Sequence, residues 1–379
     1  MRKILSFSLL AFLLLIGTNA WGQFVVEKVT ATSGLVSGEK YIIVCENQST
    51  AISVINTATA SKPYYTHTSV SIETNAIDGT PSSIAVLTLG SVTEGWTLNS
   101  SISEEYLSLS KADNYLGGSE SADSNNEKWT IAFEDNGDAT IRNVAYPVKG
   151  GSKSDKNNPR FIQYNKANGS QRFACYAGTQ LNVQLYHVIG YRVNVTTAGW
   201  ASLCLPFKAT IPTNAKAYFA IENVDDDSKV TLRPFSGTVI PVNTGVVIRD
   251  MQYDGLVAHE YQFNKTDNNA TDDVAANIMV GSVKKIATPT GGVYVLASGN
   301  GTTCTFNTFT GDNLDAYKSY IPQGSASAPS IHFVIDEENG ATNIGATDAT
   351  MEVVKFFENG RLLIKKGDVV YDALGNIVR

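Results

Sequence analysis

The sequence predicts an all-β protein: a closed antiparallel barrel of β-trefoil type, then a β-sandwich, then a short β-meander. Three observations carry that expectation. Charged residues make up 17% of the chain, against a usual figure of roughly 25%. Thr, Ser, Asn, Val and Gly fill the difference; β-branched side chains suit a pleated surface, and Asn, Gly and Ser close turns. After Gln23, no long stretch keeps apolar positions at i, i+3, i+4 and i+7 without a Gly, Pro or β-branched interruption, so amphipathic helices are not expected. Short apolar runs bounded by turn residues recur instead, among them Tyr41-Ile42-Ile43-Val44, Ile84-Ala85-Val86-Leu87, Trp129-Thr130-Ile131 and Val293-Tyr294-Val295-Leu296.

The chain opens with Arg2 and Lys3, then an apolar run from Ile4 to Ile16, then small residues through Gly22. A basic start, an apolar core shorter than the about 20 residues of a spanning helix, and a small-x-small site make a secretory signal peptide. Ala20 and Gly22 place the cut after Gly22. The mature chain is therefore expected to be exported, at the cell surface or outside the cell, with no stable transmembrane segment. Losing Arg2 and Lys3 takes the formal charge from −7 to −9. An acidic chain without a dense Lys/Arg cluster argues against nucleic-acid binding, which needs a basic patch.

Residues 23–188 form the expected first domain. A shift of 33 residues superposes Trp96-Thr97-Leu98 on Trp129-Thr130-Ile131 and Gly117-Gly118-Ser119 on Gly150-Gly151-Ser152. A fixed period marks a repeated supersecondary unit. Three such units closing into a barrel would leave no sheet edge exposed. Glu134-Asp135-Asn136-Gly137-Asp138 lies between two strand-like runs and holds an Asn-Gly step, a strong hairpin signal. A boundary is expected near Val188, because alternation starts afresh at Tyr191. Residues 189–335 hold roughly eight strand-like runs with no copy of the first domain, the pattern of a sandwich. Residues 336–352 turn acidic, small and polar and read as a linker. Residues 353–379 break into short strands at Glu358-Asn359-Gly360, Lys366-Gly367-Asp368 and Leu374-Gly375-Asn376, which makes a meander.

The cysteines are Cys45, Cys175, Cys204 and Cys304, with no CxxC among them. An even count in an exported chain permits disulfides, and four cysteines allow three pairings. Two cysteines in each half favour Cys45–Cys175 and Cys204–Cys304; four buried free thiols remain the alternative. Tyr41, Ile43 and Cys45 share one strand face, as do Phe173 and Cys175. If the first and last strands of a barrel are neighbours, Cys45 and Cys175 approach each other.

Several segments resemble proteins of one class. Tyr41-Ile42-Ile43-Val44, Arg172-Phe173-Ala174-Cys175-Tyr176 and Val183-Gln184-Leu185-Tyr186 resemble a β-rich module of exported Bacteroidota proteins. Gly199-Trp200-Ala201-Ser202-Leu203-Cys204-Leu205-Pro206-Phe207 and Ile240-Pro241-Val242-Asn243-Thr244-Gly245 resemble a module found near the C-termini of the same surface proteins. The stretch from Phe357 to Gly375 resembles the short tails that end them and that the type IX secretion machinery reads. It is about a third the length of a full sorting domain and lacks the final strand. The resemblance implies location, fold and a secretion partner, and assigns no catalytic residue.

Catalytic signatures are absent from the sequence. The histidines are His67, His187, His259 and His332; none falls in HExxH, and GxSxG, the P-loop and the Rossmann fingerprint do not occur. Glu104-Glu105, Asp225-Asp226-Asp227 and Asp272-Asp273 are adjacent carboxylates. Neighbours on a strand point to opposite faces, which does not give the facing pair of a glycosidase. A structural Ca²⁺ is the one cofactor the composition admits, with Asp267, Asn269, Asp272 and Asp273 as hard oxygen ligands; the spacing is not that of an EF-hand. Candidate ligand-binding residues are tyrosines near turns of the first domain, Tyr64, Tyr65, Tyr115, Tyr146, Tyr164 and Tyr176, whose faces can stack on sugars. Trp96 and Trp129 are read as core. The function expected is a non-enzymatic binding or adhesin-like module, with a glycan or surface partner. A secreted hydrolase with an unrecognised site, or a purely structural surface component, are the alternatives.

Overall fold

The computed structural model describes residues 22–57, 62–111, 113–146, 160–223, 229–298, 304–323, 328–336, 353–358, 361–366, 369–372 and 378. The protein is all-β. Among the described residues, helix is confined to four three-residue 3-10 turns, such as Glu46–Gln48. Residues 1–21 of the expected signal peptide (1–22), most of the expected linker (337–352) and the second copy of the Gly-Gly-Ser repeat element lie outside the described residues.

Strand pairing in the first half follows the hairpin signals. Lys40–Cys45 pairs antiparallel with Gln184–Val195 along one edge, and along the other with Leu87–Val92 at its start and Thr50–Asn56 at its end. From Leu87–Val92 the pairings pass through Gly95–Ser100 to Trp129–Phe133, Ala139–Asn143, Phe161–Asn165 and Arg172–Tyr176. From there they pass through Tyr64–Ser69 back to Thr50–Asn56. The repeat-related tryptophans are cross-strand partners, Trp129 opposite Trp96. Trp129 is buried, its Nε1 donating to the Leu107 carbonyl at 3.0 Å, and Trp96 packs against the same core. Gly95 (φ 146°) permits this approach, since a Cβ there would lie 2.4 Å from the Trp129 carbonyl oxygen.

The run Lys40–Cys45 is buried on both faces because it separates two cores. Tyr41, Ile43 and Cys45 enter one cluster with Leu87, Leu98, Trp129, Ile141 and Phe173. Ile42 and Val44 enter the other with Phe24, Val26, Val86 and Val188. The alternation of a strand sends successive side chains to opposite faces, and here each face meets apolar atoms.

The boundary expected at Val188 is not there. Gln184–Val195 is one continuous twelve-residue strand. Its first part pairs with Lys40–Cys45, its whole length but the ends with Gln23–Val29, and its last part with His259–Lys265. The second cluster is shared: Phe24, Ile42 and Val188 pack with Leu203, Phe207, Phe219, Val246, Ile248 and Phe263. Phe24 meets Tyr191 and Tyr317 edge-on, at 5.5 and 5.4 Å between ring centres. The described residues up to Asp336 accordingly form one compact unit. Sequence alternation restarts at Tyr191 because the strand changes partners there, not because a domain ends.

A nine-stranded sheet occupies the second half, in the order Trp200–Leu203, Val246–Asp250, Ala215–Glu222, Lys229–Pro234, Ser330–Ile335, Cys304–Thr308, Val293–Ser298, Lys318–Pro322, Val280–Ser282. Lys229–Pro234 and Ser330–Ile335 run parallel; the other neighbours are antiparallel. One face of it, with Ala217, Phe219 and Ile248, joins the shared core; the other, with Tyr218, Ala220 and Val247, meets Tyr294, Phe306 and Ile331. The last residues form a separate three-stranded antiparallel sheet, Val353–Glu358, Arg361–Lys366 and Val369–Asp372.

Candidate functional site

Side chains of four elements meet at one rim of the first half. Lys28 comes from Gln23–Val29, Glu46 from the 3-10 turn that ends Lys40–Cys45, Gln184 and Tyr186 from the long strand, and Asp138 from the Asn-Gly hairpin. Ser49 closes the Glu46 turn in the left-handed region, φ 47°. Gly137, at φ 82°, closes the hairpin, and a Cβ there would sit 3.0 Å from Lys28 Cε. These two turns bring Glu46 and Asp138 to opposite sides of Lys28 and Gln184.

The contacts form a chain. Lys28 Nζ lies 2.8 Å from Glu46 Oε1, and the Tyr186 hydroxyl donates to the same oxygen at 2.6 Å. The Glu46 backbone N–H donates to Gln184 Oε1 at 2.9 Å, and Gln184 Nε2 donates to Asp138. Asn182 and Asn136 also donate to Asp138, each at 3.0 Å. Gln163 Nε2 reaches Asn182 Oδ1 at 3.2 Å. Burial pushes the Asp138 carboxyl up, but the three amide donors and the nearby Lys28 charge outweigh it, and it sits below its ordinary value. Burial, with the Glu46 carboxylate beside it, pushes the Tyr186 phenol up. Both groups therefore hold one protonation state around neutral pH.

Two grooves flank this chain. One, of about 700 Å³, is lined by Lys28, Glu46, Ser49 and Tyr186 on one side and Val70, Ile72 and Thr74 on the other. The second, of about 430 Å³, is lined by Thr140, Phe161, Gln163 and Asn182 among others. Each mixes fixed hydrogen-bonding groups with apolar surface, as sites for small polar ligands do.

The expected tyrosine platform does not assemble. Tyr65, Tyr164 and Tyr176 are buried in the first core, where strand alternation turns them inward. Burial pushes the Tyr65 and Tyr164 phenols up. Tyr64, Tyr115 and Tyr146 are half-buried and pack against that same core. Tyr64 accepts from Asn56 Nδ2 at 2.8 Å and lies 5.1 Å under the Arg172 guanidinium. Arg172 Nε reaches the Tyr176 hydroxyl at 3.3 Å, so Tyr64 and Tyr176 share a cation rather than a ligand-facing surface.

The Cys45–Cys175 pairing is also corrected. Cys45, Cys175 and Cys204 are free and buried. The strand of Cys45 neighbours Thr50–Asn56, Leu87–Val92 and Gln184–Val195, while that of Cys175 neighbours Phe161–Asn165 and Tyr64–Ser69. The strands on which the pairing relied are thus not adjacent. The free Cys204 leaves the Cys204–Cys304 pairing unformed as well; the Cys304 side chain lies outside the described residues. Each of the expected calcium ligands is engaged by another group of the chain. Asn269 accepts from Lys208 Nζ at 2.5 Å, Asp272 from Ser236 and the Gly237 N–H, Asp273 from the Ala275 N–H, and Asp267 from Lys265 Nζ at 3.5 Å. Among the described residues, no three His, Cys, Asp or Glu side chains converge as a metal would require.

Two histidine–carboxylate pairs escaped the sequence. His187 Nε2 lies 3.2 Å from Glu39 Oε2, whose other oxygen takes Lys265 Nζ at 2.8 Å. His259 Nδ1 lies 2.7 Å from Asp250 Oδ2, and Tyr261 donates to Asp250 Oδ1. His259 and Tyr261 are two apart on a strand and so share a face, the only local signal for this group. Its carboxylate lies outside that strand, across a loop.

No family model matches this sequence, and no curated protein matches it either. Three solved structures resemble parts of the fold. A Polyporus squamosus lectin bound to a human-type influenza-binding epitope is 14% identical with a TM-score of 0.28, over 44% of this chain and 53% of the lectin. A GH43 β-1,3-galactosidase is 10% identical, TM-score 0.29, over 44% of this chain and 29% of the enzyme. A mosquitocidal holotoxin is 8% identical, TM-score 0.28, over 88% of this chain and 42% of the toxin. The chain thus spans about half the length of the lectin.

Proposed function

We propose that the protein is an exported, non-enzymatic binding module of adhesin type that holds a glycan in the groove between Glu46 and Thr74. The observation that carries this reading is the Lys28–Glu46–Tyr186 group, held from behind by Gln184 and Asp138. A ligand hydroxyl can donate to Glu46 or accept from Lys28, while Ile72 offers apolar surface to the sugar C–H face. Donors and acceptors fixed in advance reduce the ordering cost of binding. The reading places the protein at the cell surface or outside the cell, with the type IX machinery as its export partner through the tail. It also takes the first-half strands as a closed barrel of trefoil type, supported by pairings that return to Lys40–Cys45, and the second half as a sandwich-like partner sharing its core.

A glycan array probed with mature protein tests it. Binding to a defined set of glycans that Glu46→Gln weakens supports the reading; a blank across host and microbial glycans overturns it. The Asp250–His259 pair favours one other reading, a hydrolase in which Asp250 orients the imidazole. Turnover of chromogenic glycosides or phosphoesters that His259→Ala abolishes would support that reading instead.

A further inference from the structure

From the loop between Val246–Asp250 and His259–Lys265, the geometry points to a protein-docking knob whose partner offers an apolar pocket rimmed by Lys or Arg. This surface is built from different elements than the groove. Within residues 251–258, Met251 is 54% exposed, Tyr253 37%, Leu256 81% and Val257 52%. Single exposed apolar residues need no explanation, but four on one short loop do.

The loop is held in shape rather than left to collapse. Its neck is closed by Asp250 and His259, the residues on either side, at 2.7 Å. The Asp250 backbone N–H donates to the Gly199 carbonyl at 2.9 Å, and that of Met251 to the Asn214 carbonyl at 3.0 Å. Asp250 Oδ1 takes the Gln252 N–H at 2.7 Å. At the tip, Asp254 Oδ1 takes the N–H groups of Leu256 and Val257 at 2.8 and 3.1 Å, and Gly255 turns the chain at φ 78°. The ring of Tyr253 covers Gly199, where a Cβ would lie 2.6 Å from it. Leu256 and Val257 are thus presented outward on a braced support, as the central anchors of an interface are.

Charge decides what kind of occupant fits. Asp254 is exposed at the tip and is the one charged side chain of residues 251–258. Seating this tip in lipid would carry that carboxylate into the membrane at high cost, and the acidic chain is repelled by anionic headgroups. A pocket with an apolar floor for Leu256 and Val257 and a cation at its rim for Asp254 satisfies both features.

The test places a photo-crosslinking phenylalanine analogue at Leu256 of the full chain, expressed in its producing cells. The expected result is a crosslink to one identified protein, whose purified form binds the mature chain. Leu256→Ser and Asp254→Lys each weaken that binding by about tenfold or more, while thermal unfolding stays unchanged. Four results would overturn the proposal: no crosslink at all, a crosslink only to a second copy, binding indifferent to both substitutions, or flotation of the chain with phosphatidylcholine vesicles that Leu256→Ser abolishes.

Discussion

At the residue scale, the buried carboxylate of Asp250 is the most consequential single group. Burial pushes its pKa up, but donation from Tyr261, His259 and the Gln252 N–H outweighs that and holds it below the ordinary value. A depressed carboxyl stabilises the fold above its unfolded pKa of about 3.9 and loses that contribution as pH falls through the folded value. Asp250→Ala leaves Tyr261 and His259 without their acceptor and should cost about 3 kcal/mol, read from urea unfolding at pH 7. The gap to wild type should narrow as pH falls below about 4; a gap independent of pH would contradict the assignment. The thiols give a second test. Burial pushes Cys45 up to about 11 and Cys204 up to about 12, and Cys175 higher still. Iodoacetamide at pH 8 should leave all three unmodified in the native protein and label them in denaturant, as mapped by peptide mass. The thiols illustrate why residue roles were hard to read. The period of two placed Cys45 and Cys175 on inward faces, but which strands lie between them is a matter of pairing, which the sequence does not encode locally. The tyrosines mislead for the same reason: a tyrosine near a turn is outward or inward by register, and Tyr65, Tyr164 and Tyr176 fall inward.

At the element scale, Gln184–Val195 organises the molecule. Strands at Tyr41, Trp129 and Val293 were legible because each is short, apolar and bounded by turn residues. The hairpin at Asn136-Gly137 was legible for its turn chemistry, and it delivers Asp138 to Gln184 behind the groove. In sequence the long strand reads as an end and a beginning, because its partner on one edge changes from Lys40–Cys45 to His259–Lys265 along its length. Two outcomes follow from its continuity. A fragment ending at Val188 cuts it in the middle, strips Phe263, Val246 and Leu203 from the shared core, and should show no cooperative unfolding. Phe24→Ala, which removes a ring packed on Tyr191 and Tyr317, should cost about 3–5 kcal/mol. Calorimetry should show it lowering one transition for residues 23–336; separate transitions for the two halves, with only the first lowered, would contradict a shared core.

At the scale of the whole molecule, the all-β class was legible from composition and period, and the groove was not. Its polar residues Lys28, Glu46 and Tyr186, with Gln184 and Asp138 behind them, are scattered over the first half and carry no motif; only the fold collects them. Beyond the first unit, the small sheet of residues 353–372 has three short strands, and a sheet of that size is marginal alone. In line with a sorting role, deleting residues 353–379 should leave the unfolding transition intact while holding the protein in the periplasm; surface delivery of the truncated chain would contradict that role. The central claim is that the Glu46 groove is where ligand sits, and hydrogen exchange with and without a glycan selected on the array measures it most directly. The account predicts slowed exchange at residues 46–49, 70–74 and 184–187, lost in Glu46→Gln. Protection confined to other segments, or unaffected by Glu46→Gln, would contradict it.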